Sequence, residues 1–309
     1  MIHVAVCITT FLRPLGLARC LESLNSLTFQ HMTEVAPSII VVDNDILQSA
    51  RSIVQDFAKR SVWPVKYVAE CQRGISFARN RAVVTAQGHR YIAFVDDDEY
   101  VDPVWLDELL YAQSLYAADI VAGPVRPEFE RAPPNWITQG RFFDRPRWAS
   151  GTQLDSASTA NVLARMDILE SVPGPFDVQF ARSGGEDAAL FTKLARMGVH
   201  LVWTDNALVH ETVPESRMTV RWVIRREYRK GNTLSLLEKT IAPELRRSRR
   251  RMLRQGRRTM RKGAKQLIES TYRKDMIAVA GLAQVANGLG GIAGVLGLRY
   301  EEYRSIHGS

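Results

Sequence analysis

Short apolar runs alternate with amphipathic stretches through the first hundred residues, the pattern of repeated βαβ units around a mostly parallel sheet. Residues 3–9 read as a strand, and residues 15–27 as a helix with Leu17, Leu21 and Leu24 on one face. A second strand over 38–42, rich in β-branched side chains, ends at Asp43-Asn44-Asp45. The pattern predicts a helix over 48–60, a short strand over 65–68, a helix over 75–86, and a strand over 91–95 that runs into Asp96-Asp97-Asp98-Glu99. Beyond it, a helix is expected over 102–111 and a strand over 119–122. Residues 124–150 hold several prolines and the aromatics Phe129, Trp136, Phe142 and Phe143 in an irregular stretch; loops of this length inside a domain are usually functional or mobile. Gly184-Gly185-Glu186-Asp187 opens an amphipathic helix to residue 197, followed by a strand over 201–204.

The end of the chain has a different character. Eleven Arg and Lys residues and no acid lie between Arg246 and Lys265. Of the 41 basic residues, 30 remain outside that segment against 33 acids, so the net charge of +8 belongs to one place. That excludes a globally basic nucleic-acid-binding fold and implies a local anionic partner. Residues 276–298 then carry no charge and include six glycines. The tract is long enough to cross a bilayer, but its composition equally suits an interfacial or self-packing helical hairpin, or a helix docked on the rest of the protein.

Three cysteines without a C-x-x-C pair suggest neither a disulfide framework nor a zinc knuckle. The first residues form a strand-length apolar run rather than a secretion signal. The expected setting is the cytoplasm.

Four adjacent acids at the carboxyl end of a buried strand stand where open parallel sheets bind ligands. Their mutual repulsion would be relieved by a hard cation bound to diphosphate oxygens, Mg2+ or Mn2+, held by one or two of these carboxylates plus phosphate. The alternative is a solvated acidic turn. Asp43, at the end of the neighbouring strand, could accept a hydrogen bond from a base or a ribose, or could simply start an Asx turn. Gly74 and Ser76 mark a tight turn into a helix, with Ser76 a candidate cap and Arg79 within reach of a diphosphate at the helix start. Glu186 and Asp187 are candidates for a general base, although acids in a first helical turn also serve the helix dipole. His210, after a strand-like run, is a candidate further metal ligand or a structural histidine. Trp136 and Trp148, with Phe142 and Phe143, are candidates for an acceptor platform or for loop packing.

Taken in order, Ile8-Thr9-Thr10-Phe11-Leu12-Arg13-Pro14, Val41-Val42-Asp43-Asn44, Gly74-Ile75-Ser76 with Arg79-Asn80, Asp96-Asp97-Asp98, Gly185-Glu186-Asp187 and Arg225-Arg226-Glu227-Tyr228-Arg229 resemble glycosyltransferase family 2. The resemblance runs over about residues 3–235 and is greatest to bacterial exopolysaccharide, succinoglycan-type members. It implies a GT-A fold, a Rossmann-like mixed, mostly parallel sheet flanked by helices, here with a C-terminal helical extension. Residues 1–100 would form the nucleotide-sugar-binding half, 101–235 the acceptor-binding and catalytic half, and 236–309 the extension.

The resemblance further implies a nucleotide-sugar donor, with UDP the expected nucleotide, and an inverting displacement. Phe11 would stack on the base and Asp43 bond to it, with Thr9, Arg13, Arg79, Asp96 and Asp97 around the nucleotide. Asp98 would ligate the metal, with Asp96 facing the ribose or the metal, and Asp187 would be the base, with Glu186 orienting the acceptor. Arg226 and Arg229 would face the diphosphate. The family's Gln-x-x-x-Arg-Trp element is altered here: arginine stands where glutamine would be, and Lys230 replaces tryptophan. Single-sugar transfer to a glycan or lipid-linked acceptor is therefore expected rather than processive polymerisation.

Three other readings compete. A sugar nucleotidyltransferase would need a glycine-rich basic loop after the first strand, which Thr9 to Pro14 lacks. A nucleic-acid-binding protein would interleave aromatics with the arginines of 246–265, and none occurs there. A silent membrane-bound scaffold would not need the acidic motifs. Residues 246–298 are instead expected to contact the anionic cytoplasmic face of a membrane peripherally.

Overall fold

The computed structural model describes residues 1–241, 246–270 and 275–301; the remaining parts of the predicted 236–309 extension lie outside the described residues. The chain begins β1 (Ile2–Thr10), α1 (Pro14–Asn25), β2 (Val35–Asp43), α2 (Arg51–Ala58), β3 (Val65–Ala69), α3 (Ile75–Thr85) and β4 (Tyr91–Asp96), the alternation expected from its pattern. It continues with β5 (Glu99–Val101), α4 (Trp105–Leu115), β6 (Ile120–Ala122), β7 (Val125–Phe129), α5 (Asn135–Gly140), β8 (Asn161–Arg165), α6 (Met166–Glu170) and α7 (Glu186–Arg196). After β9 (Leu201–Trp203) and β10 (Val209–Val213), three long helices follow: α8 (Val220–Ile241), α9 (Arg246–Ser270) and α10 (Asp275–Leu296).

A seven-stranded sheet has the order β3-β2-β1-β4-β8-β6-β9. All neighbours are parallel except β8, which runs antiparallel to both β4 and β6. The sheet is covered on both faces, so its strands carry apolar side chains at successive positions rather than alternate ones. In β1, Val4, Val6 and Ile8 pack towards α1 and α4 while Ala5 and Cys7 pack towards α3 and α7, all fully buried. A second, three-stranded sheet, β5-β10-β7, pairs β10 antiparallel with β5 and parallel with β7.

The stretch over 124–150 is more regular than its prolines and aromatics suggest, since it contains β7 and α5. Phe129 and Phe143 meet edge to face, and Phe143 stacks on Trp222 with centroids 5.3 Å apart. Ser76 does not cap α3: Gly74 is the cap residue, at φ 141°, and the Ser76 hydroxyl donates instead to the Asp177 carbonyl.

In the structure the uncharged tract is a helix both docked on α8 and paired with α9 in a hairpin. By length and composition Met276–Leu296 could cross a membrane, but α10 packs against α8 and α9 through glycine. A Cβ at Gly231 would lie 2.0 Å from the Asn287 carbonyl oxygen, and one at Gly290 would lie 1.9 Å from that of Tyr228. Close approach of this kind lets side chains bond the neighbouring backbone. Ser235 Oγ donates to Gly291 O (2.8 Å), Asn232 Nδ2 to Leu298 O (2.8 Å) and Asn287 Nδ2 to Glu227 O (3.2 Å).

Adjacent glycines in α10 give a test of this contact. Gly290→Ala should destabilise the protein by about 1–3 kcal/mol through overpacking. Gly291→Ala, whose Cβ would meet nothing nearer than 3.6 Å, should be neutral or stabilising by up to about 1 kcal/mol from helix propensity. Denaturant midpoints of the two variants measure the difference, and equal losses would contradict the packing described.

Candidate active site

A cavity of about 260 Å3 opens at the carboxyl ends of β1 and β4. Its floor carries Thr9, Thr10 and Phe11 from the end of β1, Arg13 just beyond it, and Asp96, Asp97 and Asp98 from the end of β4. The loop into α3 adds Arg73, Gly74 and Arg79, and the Arg73 guanidinium sits 4.9 Å above the Phe11 ring. One face of α8 closes the far side with Trp222, Arg226 and Arg229, a spacing that aligns side chains over two turns.

The acids do not repel one another unrelieved, because arginines interleave them. Asp97 accepts from Thr10 Oγ1 (2.8 Å) and Arg13 Nη1 (2.9 Å). Asp98 accepts from Arg13 (3.0 Å) and from Arg217 Nη2 (2.9 Å), while Arg217 also reaches Glu211 (3.1 Å), itself bound by Arg145 (2.5 Å). Arg79 joins Asp96 (3.0 Å) to buried Glu186.

Burial raises the Asp97 carboxyl to about 6, with Arg13 pulling it back and Asp98 pushing it up. Burial also opposes the Asp98 charge, but Arg13 and Arg217 outweigh it and hold that carboxyl below its ordinary value. Burial raises Asp96 despite Arg79, and Asp98 and Asp187 push it further. Glu99 is no part of the cavity wall: it is 1% exposed, accepts from the Asp96 amide, and burial drives it well above the carboxylate range. The fourth acid of the cluster thus braces the backbone at Asp96 rather than facing the cavity.

Thr9, Phe11, Arg13, Arg79, Asp96, Asp97, Asp98, Arg226 and Arg229 converge on the cavity as the sequence led us to expect. Asp43 does not. It is fully buried, with Oδ1 accepting from the Asp45 amide and Oδ2 from the Ala50 amide and the Tyr67 hydroxyl; it fixes the turn after β2, and Asn44 takes its place in the wall. His210 is also misplaced by the expectation. Side chains alternate along β10, so Glu211 faces the cavity and His210 faces away, between Asp102 (2.9 Å) and Glu128 (3.2 Å) and stacked on Tyr100.

Trp136 packs with Phe142 against Val223, Val279 and Ala283, and Trp148 lies edge-on to Trp203; neither lines the cavity. The aromatics that do are Phe11 and Trp222. Arg145, Glu211, Arg217 and Trp222 were missed, and only the helical spacing of Trp222 with Arg226 and Arg229 offered a signal.

Glu186 and Asp187 begin α7 after Gly185, whose φ of 95° favours glycine. Glu186 is 1% exposed and bound to Arg79. Asp187 lies beside the cavity wall rather than in it, held by the Ser158 hydroxyl (3.0 Å) and by backbone amides, and near enough to raise Asp96. Among the described residues no group of three or more His, Cys, Asp or Glu side chains is placed to hold a metal. The cavity-facing carboxylates Asp96 and Asp98 are hard donors and suit a magnesium-like ion that takes one or two carboxylates and completes its shell with phosphate oxygens.

Residues 5–171 match glycosyl transferase family 2. The chain belongs to glycosyltransferase family 2. The succinoglycan biosynthesis protein ExoM of Rhizobium meliloti (strain 1021) is 34% identical over 234 residues, covering 75% of this chain and 74% of that protein. Glycosyltransferase AglE of Haloferax volcanii is 27% identical over 169 residues, 53% of each chain. Residues 1–349 of S. aureus TarS, solved in complex with UDP-GlcNAc, superpose with a TM-score of 0.52 at 15% identity, covering 98% of this chain and 93% of that one. At that identity the likeness bears on the fold, which is the GT-A arrangement of this glycosyltransferase family.

The Glu186 carboxyl is raised from 4.5 to about 7 by burial, against the pull of Arg79 and with a push from Asp187. The folded protein therefore binds a proton there that the unfolded chain releases. Its contribution to stability is complete below about pH 4.5 and is lost as pH rises through about 7. Glu186→Gln should flatten the fall of the thermal midpoint between about pH 5 and 8. An unchanged pH profile would remove the raised carboxyl from the account.

Proposed function

We propose that this chain is an inverting glycosyltransferase that moves a single sugar from a nucleotide-diphosphate sugar, with UDP the expected nucleotide, to a hydroxyl of a glycan or lipid-linked acceptor in cell-surface polysaccharide synthesis. The observation that carries this reading is the charge of the cavity. Seven arginines (Arg13, Arg73, Arg79, Arg145, Arg217, Arg226, Arg229) face four carboxylates (Asp96, Asp97, Asp98, Glu211), an excess of +3 where a diphosphate would lie. Guanidinium groups are the side chains best matched to phosphate oxygens. The UDP-GlcNAc complex of S. aureus TarS, a protein of the same fold, supports a nucleotide-sugar donor.

In this reading the base stacks on Phe11 in place of the Arg73 guanidinium, which covers that ring at 4.9 Å, and the diphosphate lies between Arg226 and Arg229 on α8 and the acids after β4. Asp187 takes the proton of the acceptor hydroxyl as its oxygen bonds to the anomeric carbon and the bond to the diphosphate oxygen breaks on the opposite face. Glu186, buried outside the cavity and locked to Arg79, positions the start of α7 and with it Asp187, in place of the acceptor-orienting role expected of it. A Mg2+ or Mn2+ ion held by Asp96 and Asp98 would neutralise the departing diphosphate. Trp222 offers an aromatic face for a sugar ring, the role expected of Trp136 and Trp148.

Calorimetric titration with UDP, GDP and TDP, with and without Mn2+, tests the donor site. One nucleotide should bind with metal present, and Asp98→Ala should abolish the metal dependence. Failure of all three nucleotides under both conditions would overturn the reading. Asp187→Asn should keep nucleotide affinity within about twofold while lowering kcat by about 10²–10⁴-fold, the range for loss of a general base. A variant with full kcat would assign the base elsewhere.

A further inference from the structure

Helices α9 and α10 form an antiparallel hairpin in which Gly256 and Gly263 of α9 meet Gly288 and Gly281 of α10. With 3.6 residues per turn, that seam fixes which side chains look to either side. On α10, Leu282, Leu289 and Leu296 recur every seven residues and form one outward line, 39%, 45% and 61% exposed. Antiparallel pairing of two right-handed helices puts Arg250, Arg257, Arg261 and Ile268 of α9 on the same side, and Ile268 is 72% exposed. The contact with α8 lies on another face of α10, at Gly290 and Asn287.

We propose that this face docks flat on an anionic lipid surface. The leucines and Ile268 would enter the boundary between headgroups and acyl chains, and the arginines would meet acidic headgroups. Charge complementarity selects this occupant. α9 exposes nine Arg and Lys side chains, and its one acid is Glu269, near its end. Two copies meeting through the leucine line would instead press Arg250, Arg257 and Arg261 of each against the other. Insertion of α10 as a bilayer span would break the bonds that Asn232, Ser235 and Asn287 make between α8 and α10.

The docking face stands independently of the proposed reaction; that reading adds only a consequence for the acceptor. α8 shows Trp222, Arg226 and Arg229 to the cavity and packs the opposite side on α10. One helix layer, about 10 Å, thus separates the cavity from the hairpin that would touch lipid.

The test is co-sedimentation of the full-length protein with phosphatidylcholine vesicles, with and without about one-third phosphatidylglycerol, at about 0.1 M and about 0.5 M salt. Binding is expected to the anionic vesicles at the lower salt and to weaken at the higher. Replacing Arg250, Arg257 and Arg261 together by Gln should lower the partition coefficient on the order of 100-fold, at roughly fivefold per arginine. Replacing Leu282, Leu289 and Leu296 together by Ser should lower it by about tenfold or more. The arginine variant should keep the thermal midpoint of the parent, and the leucine variant, whose side chains are partly buried, should melt lower but still cooperatively, which separates lost docking from lost fold. Equal binding to both vesicle types, no binding to either, or binding that neither variant weakens overturns the proposal. So does a dimer in sedimentation analysis that the leucine variant abolishes while vesicle binding is unchanged, since the line would then belong to a second copy.

Discussion

The cavity depends on one arrangement, the interleaving of acids after β4 with arginines drawn from distant parts of the chain. Carboxylates taken out of water are costly unless their charges and lone pairs are met. Here Arg13 comes from the loop after β1, Arg79 from α3, Arg217 from the turn before α8, and Arg145 from the segment before β8. Arg13, Arg79 and Arg217 each tie a separate segment to the end of β4, and Arg145 joins them through Glu211 of β10. The ion pairs therefore serve as the mortar between the large sheet, the small sheet and the approach to α8.

That arrangement also sorts the acids chemically. Asp98, between two arginines, is held below its ordinary value; Asp97 is drawn upward by burial; Glu99, which accepts from the Asp96 amide, is driven furthest up by burial. Four neighbours in sequence thus have different protonation behaviour because the β-strand and the turn after it aim them into different surroundings. Burial sets the upward pull on each, and the number of guanidinium groups in reach decides how far it goes.

Much of this was legible in the sequence because it rests on local pattern. The β-α-β-α-β-α-β alternation, the acids at a strand end and the glycine before Glu186 are all readable from spacing. The rest depended on pairing. β8 enters the sheet against the direction of its neighbours, which no local periodicity announces. His210 and Glu211 are adjacent, and only the register of β10 decides which faces the cavity. Asp43 had the right strand end but is consumed by the turn it begins. Arg145 and Arg217 lie in irregular segments where neither helix nor strand period assigns a direction. In the extension, composition left three arrangements open, and the glycine-mediated contacts of α10 with α8 and α9 are what distinguish them.

The backbone-to-backbone contact of α8 with α10 has a mechanical consequence. Gly231 and Gly290 leave no layer of side chains to act as a bearing, and the bonds from Ser235 and Asn287 cross the seam. The helix that carries Arg226 and Arg229 can tilt only if the hairpin tilts with it, so that side of the cavity behaves as a fixed jaw. The segment between α5 and β8 joins the same jaw, since Phe143 stacks on Trp222 and the Arg226 guanidinium donates to the Phe142 carbonyl.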